Sequence, residues 1–126
     1  MSLKIENLDK ILRKIKKNKN VVAIYLFGSY AKKENNPLSD IDICVILKNP
    51  NEKDECEIGS MYSQELDMVL FHRLPLHIKF EVFKFGKELY VRDERILLEI
   101  KFKVLREFHE RVRSFEAIKR SIINED

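Results

Sequence analysis

Tryptophan and threonine are missing from this 126-residue chain, and glutamine occurs once, as Gln64. Two cysteines, Cys44 and Cys56, exclude a disulfide framework. Cys44 lies inside an apolar run and reads as a small core residue. Glycine and proline number three each, and no repeat, low-complexity stretch or linker interrupts the chain. No apolar run approaches the roughly 18 residues needed to cross a membrane. The N-terminus is charged and periodic from its start, unlike a signal peptide, so a cytosolic (cytoplasmic) protein is expected. Neither sign of charge dominates, with 24 Lys and Arg against 21 Asp and Glu and a net charge of +3. A pI near 8.8 admits a nucleotide or an acidic partner but falls short of the basic footprint of nucleic-acid binders, so no direct nucleic-acid binding is expected. Abundant Lys and Glu fit thermophile surfaces, though AT-rich coding gives the same bias. The length supports one domain, residues 1–126, with a single modest core.

What is present is strong periodicity. Leu8, Ile11, Leu12 and Ile15 recur at helical spacing, which predicts an amphipathic helix over 3–17, ended by Asn18, Lys19 and Asn20. Residues 21–27 form a short continuous apolar run and read as a buried central strand. Gly28 breaks it, and Ser29 is a good N-cap for a short helix over 30–34. A turn-rich loop over 35–39 leads to a second strand over 41–47, closed by Asn49, Pro50 and Asn51. A weak helix over 52–63 precedes a third strand over 66–71. Its alternation sets Leu66, Met68 and Leu70 on one face and Asp67, Val69 and Phe71 on the other.

Pro75 suits a helix start, and Leu76, Phe80 and Phe83 keep helical spacing. Ile78, Phe80 and Val82 also alternate as in a strand. Gly86 fits the residue just past a helix end, which favours the helix. A short strand over 88–91 follows. Residues 93–123 contain neither Gly nor Pro. Leu97, Val104, Leu105, Phe108, Val112, Phe115 and Ile122 recur there, giving one long helix or two with a bend. The fold class expected is α/β (α+β), a short mixed sheet flanked by helices, with a core over about 1–92 and a helical C-terminal segment over about 93–123.

The chemistry concentrates at Gly28-Ser29 and, after a ten-residue spacer, Asp40-Ile41-Asp42. Residues two apart on a strand share a face, so Asp40 and Asp42 address one spot beside a turn able to hold phosphate. Mg²⁺ takes oxygen ligands, and a few carboxylates with substrate phosphates form its usual cage. Asp67 is the candidate third carboxylate, because a bare carboxylate in an apolar strand is costly unless a cation or donors offset it. Three clustered carboxylates repel unless metal screens them, which argues for a bound cation, and two such ions are what metal-assisted phosphoryl or nucleotidyl transfer uses. Gly28 permits close backbone approach, and Ser29 with the following N–H groups would face phosphate oxygens. Lys32 and Lys33 either neutralise a triphosphate or form a solvated face. Gly-Ser alone is a common turn and Asp-x-Asp alone a common strand start; their conjunction carries the signal. His72, His77 and His109 lack ligand spacing, and Tyr25 and Tyr30 read as packing residues.

On these residues the chain resembles the minimal nucleotidyltransferases (MNT proteins) of the DNA polymerase beta-like superfamily, over roughly residues 8–92. Their signature is Gly-Ser, about ten residues, Asp-x-Asp and a later Asp, matched here by Gly28-Ser29, Asp40, Asp42 and Asp67. The family's usual Arg-Gly is Lys32-Lys33 here. The resemblance implies an antitoxin that transfers AMP from ATP to a tyrosine of an all-helical HEPN RNase toxin, in a possible hetero-oligomer. It also implies that Asp40 and Asp42 hold Mg²⁺ and the ATP phosphates, with Asp67 beside the incoming hydroxyl as ligand or general base. Masking without catalysis, or transfer to a small molecule, are the rival functions. Larger relatives that modify antibiotics or RNA add an acceptor domain, so the acceptor is expected from another chain. A C-terminal helix of thirty residues would span roughly 45 Å, and its apolar stripe would serve docking or packing on its own sheet.

Overall fold

The computed structural model describes residues 2–27, 41–61 and 66–123. Four strands, β1 (Val21–Phe27), β2 (Ile41–Leu47), β3 (Leu66–Leu70) and β4 (Lys87–Val91), form one sheet in the order β3-β2-β1-β4. β1 runs antiparallel to β2 and β4, while β2 and β3 are parallel. The sheet is therefore mixed, with its two most apolar strands at the centre. Helices α1 (Ser2–Lys16), α2 (Glu52–Gly59), α3 (Leu76–Phe85) and α4 (Glu94–Ile123) flank it, and a short 3₁₀ turn (Phe71–Arg73) follows β3.

Alternation sorts the side chains into two cores. Ile43, Val45 and Leu47 join Ile11, Leu12 and Ile15 of α1 and Ile58 of α2 on one face. Cys44 and Ile46 turn the other way, with Tyr25, Val82 of α3 and Leu97 and Val104 of α4. Met68 and Leu70 pack toward the first core and Val69 and Phe71 toward the second, the expected division. Cys44 is a buried free thiol and Cys56 an exposed one; burial raises the Cys44 pKa.

The asparagine-rich boundaries do more than end elements. The Asn18 amide donates to Asp54 Oδ1 at 3.0 Å, and Asn20 Nδ2 donates to Asp54 Oδ2 at 2.8 Å and to the Asn49 carbonyl at 2.7 Å. Asn51 caps α2 by accepting from the Asp54 N–H at 2.9 Å. Hydrogen bonds from Asn18, Asn51 and Asn20 hold the Asp54 carboxyl below its usual range. This network staples α1, the end of β2 and the start of α2 together.

Residues 76–85 are a helix, which settles the ambiguity between the two periods. Gly86 follows it as expected, but with extended backbone (φ −71°, ψ 154°) rather than a left-handed turn. Space explains the glycine, since a Cβ there would come 2.2 Å from the Val82 carbonyl oxygen and 3.2 Å from Tyr25 Cδ2. α2 ends at Gly59, earlier than the expected residue 63. The C-terminal segment is one helix without a break. Among the described residues no helix is long and apolar enough to cross a membrane.

Candidate active site

One transverse row of the sheet carries the chemistry. Phe27, the last residue of β1, pairs with Asp42 on β2, and Asp42 pairs with Asp67 on β3. Strand alternation puts Asp42 on the face shared by Cys44 and Ile46, which is the face covered by α3 and α4. Asp42 is half-buried. The row lies at the end of the sheet where β1 finishes and β2 and β3 begin, opposite the asparagine staple.

Two acidic residues thus occupy neighbouring positions of a parallel ladder whose strands are about 4.8 Å apart. Like charges directly across a ladder are destabilising, so this register favours positive charge close by. The donors are hard oxygens, which suits Mg²⁺ better than a softer metal. No cluster of three His, Cys, Asp or Glu side chains assembles among the described residues. Gly28, Ser29, Lys32, Lys33 and Asp40 lie outside those residues, as does the helix expected over 30–34. In sequence, the segment carrying them joins Phe27, a member of the paired row, to Ile41, the residue before Asp42.

Behind the row stands a support that the sequence did not reveal. Tyr25 is buried, and its hydroxyl donates to Glu88 Oε1 at 2.8 Å. Lys101 of α4 donates to the same oxygen at 3.1 Å. Desolvation and the Glu88 carboxylate push the Tyr25 pKa well above 10. The Tyr25 and Lys101 hydrogen bonds in turn lower that of Glu88. Tyr25 also meets Phe83 edge-on at 5.6 Å. It is a packing residue, as its setting in an apolar run suggested, and also a polar tie between β1, β4 and α4. The available signal was the acidic residue in β4, which the register sets opposite Tyr25.

A second cluster lies at the other end of the sheet. Glu55 of α2 accepts from Arg73 Nε at 3.0 Å and Nη2 at 2.6 Å, and contacts His72 Nε2. These hydrogen bonds, Arg73 first, pull the Glu55 pKa from 4.5 to about 2. His72 Nδ1 is buried without a partner among the described residues. The cluster ties α2 to the turn after β3, away from the acidic row.

Known proteins give the arrangement its context. Residues 9–95 match the family model described as polymerase beta, nucleotidyltransferase. A candidate protein adenylyltransferase of Methanocaldococcus jannaschii is 36% identical over 108 residues, covering 82% of this chain and 86% of its own. A toxin–antitoxin crystal structure with AMP-PNP contains a similar fold, with TM-score 0.67, 23% identity and coverage of 94% of this chain and 97% of that one. So does the complex of a tri-AMPylated Shewanella oneidensis HEPN toxin with its MNT antitoxin, with TM-score 0.66, 22% identity and coverage of 96% and 99%. The family model spans the acidic row and every strand of the sheet: this chain belongs to the polymerase beta nucleotidyltransferase family.

Proposed function

We propose that this chain is an antitoxin enzyme that transfers AMP from ATP to a tyrosine hydroxyl of a HEPN-domain toxin. The observation that carries the reading is the Asp42–Asp67 register beside the end of β1. The name of the Methanocaldococcus relative and the AMPylated toxin bound to the Shewanella antitoxin support the acceptor class. The AMP-PNP complex supports ATP as the donor. Residues 1–92 would form the transferase unit, with α4 appended to it in a cytosolic protein.

Asp40, Asp42 and Asp67 are the residues that would hold Mg²⁺, one ion or two, whose charge offsets the triphosphate and eases loss of the leaving group. Gly28 lets the backbone approach the phosphates, and Ser29 offers them its hydroxyl and N–H. Lys32 and Lys33 add positive charge there. Asp67 takes the proton from the tyrosine hydroxyl as its oxygen bonds to the α-phosphorus and pyrophosphate departs. Positioning and charge neutralisation account for most of the acceleration.

The test is incubation with the product of the adjacent gene, labelled ATP and Mg²⁺, following label and mass on that protein. Label should appear, and Asp42→Asn should reduce its rate by at least about a hundredfold. Absence of transfer, together with full neutralisation by an Asp40→Asn/Asp42→Asn variant, would establish masking without catalysis instead.

A further inference from the structure

α4 has two apolar faces, and the sheet uses one of them. Leu97 and Val104 are buried in the second core, with Ile100 packed against it, and Phe108 stacks on Phe80 of α3 at 4.0 Å. A second row runs Leu98, Phe102, Leu105, His109 and Val112, spaced four, three, four and three residues apart. That is the rhythm of a coiled-coil seam. Phe102 is 60% and Leu98 52% exposed, and Leu105 and Val112 are also on the surface. A helix already anchored to its sheet gains nothing from a second apolar row left in water. Beside the seam a notch of about 370 Å³ opens between α3 and α4, lined by Phe80, Phe83, Lys84, Lys101 and Leu105.

The charges along the seam identify its occupant. Arg106 and Arg113 flank it in heptad positions, both exposed and without an ion-pair partner among the described residues. Glu99, the acidic residue on the same flank, faces Arg95 at 4.0 Å. On the other flank Lys101 pairs with Glu88 and Glu94 has no ion-pair partner among the described residues, so the unanswered charge is two arginines against one carboxylate, a basic balance. A second copy packed in parallel would set Glu94 against Glu99 and Lys101 against Arg106, which repel. We infer that this seam and notch dock an amphipathic helix of the acceptor protein whose apolar stripe is bordered by carboxylates. The inference rests on the reading above that the acceptor is a separate, helical protein. Asp42 belongs to the same face of the sheet, so a chain seated on α3 and α4 lies on the side where transfer would occur.

The affinity of the full chain for the product of the adjacent gene, measured by titration calorimetry at two salt concentrations, tests this. Phe102→Asp should weaken binding at least about tenfold. Arg106→Glu/Arg113→Glu should weaken it at low salt and flatten its salt dependence. Lys53→Glu, exposed on α2 across the sheet, should bind as wild type. Phe102 is largely solvated, so circular dichroism and melting should confirm that its variant folds. Wild-type affinity in the Phe102→Asp and Leu98→Asp variants would overturn the inference, as would absence of binding by the wild type. So would a wild-type dimer that Phe102→Asp dissociates without changing toxin affinity, since the occupant would then be a second, antiparallel copy. Asp42→Asn separates the two readings: loss of transfer with retained binding bears on the chemistry alone. Seam-dependent binding without any transfer keeps the surface and removes the enzyme.

Discussion

Replacing Tyr25 by Phe isolates one hydroxyl whose contribution can be worked out from its surroundings. The ring is buried and keeps its edge contact with Phe83, so the change opens no cavity. What disappears is the 2.8 Å hydrogen bond to Glu88. A hydrogen bond to a charged group contributes about 1.5–3 kcal/mol. Glu88 is about half exposed, with a side-chain accessibility of 48%, and it keeps Lys101, so solvent and the lysine replace part of the loss. The expected cost is about 1 kcal/mol at pH 7. With an unfolding entropy of about 2.1 cal/mol/K per residue, that lowers Tm by about 4 °C.

The pH dependence makes the test specific. The Tyr25 pKa is raised in the folded state above its usual 10.0. Its stabilisation is therefore fully present below pH 10 and declines as the unfolded chain ionises above it. Glu88 has the opposite sign. Its folded pKa is lowered from 4.5, so its contribution is present above pH 4.5 and fades as the pH falls below that value. The stability gap between wild type and Tyr25→Phe, from urea unfolding, should form a plateau between pH 5 and 9 and narrow on both sides. A gap that is flat from pH 3 to 11, or absent at pH 7, would refute the assigned hydrogen bond.

Three further substitutions test other parts of the fold. Gly86→Ala should cost about 1–3 kcal/mol in urea unfolding through overpacking. A cost below a few tenths would mean that the helix end moves freely away from the new methyl. Glu55→Gln should flatten the acid limb of the stability profile between pH 4.5 and 2. Glu55 is held low by Arg73 and His72, so wild type loses that contribution as the pH falls through the window; an unchanged limb would contradict the ion-pair geometry. Cys44→Ser should cost about 1–3 kcal/mol, because a hydroxyl enters the buried centre of β2 in place of a thiol; wild-type stability would mean the site finds it a partner.

The core strands were legible because both of their faces are buried. Val21–Phe27 and residues 43–47 are apolar throughout, and such runs announce themselves. The segment 76–85 was ambiguous because Ile78, Phe80 and Val82 satisfy both periods. Its conformation is decided by packing of Val82, Phe80 and Phe83 on β1 and α4, which no local pattern contains. Gly86 shows the same limit at one residue. Its position was readable, but its reason is crowding, first by the Val82 carbonyl and then by the ring of Tyr25, sixty-one residues earlier in the sequence. Tyr25, Glu88 and Lys101 each had a bland local meaning; the β1–β4 register brings the first two together and the packing of α4 adds the third.

The acidic row and α4 show how sequence spacing and structure divide the work. Asp67 was singled out for its cost in an apolar strand, and the β2–β3 register sets it beside Asp42. That neighbourhood is the part of the argument a motif cannot supply, because it depends on how two strands slide past each other. In α4 the single apolar stripe read from the sequence mixed two faces. Leu97 and Val104 are buried against the sheet, whereas Leu105 and Val112 belong with Leu98 and Phe102 on the open side. A period of 3.6 and one of 3.5 coincide over two turns and separate only over a longer helix. Thirty residues give α4 the length to carry both: one row holds the helix to the sheet, and the other, flanked by Arg106 and Arg113, is left to meet a partner on the face that bears Asp42.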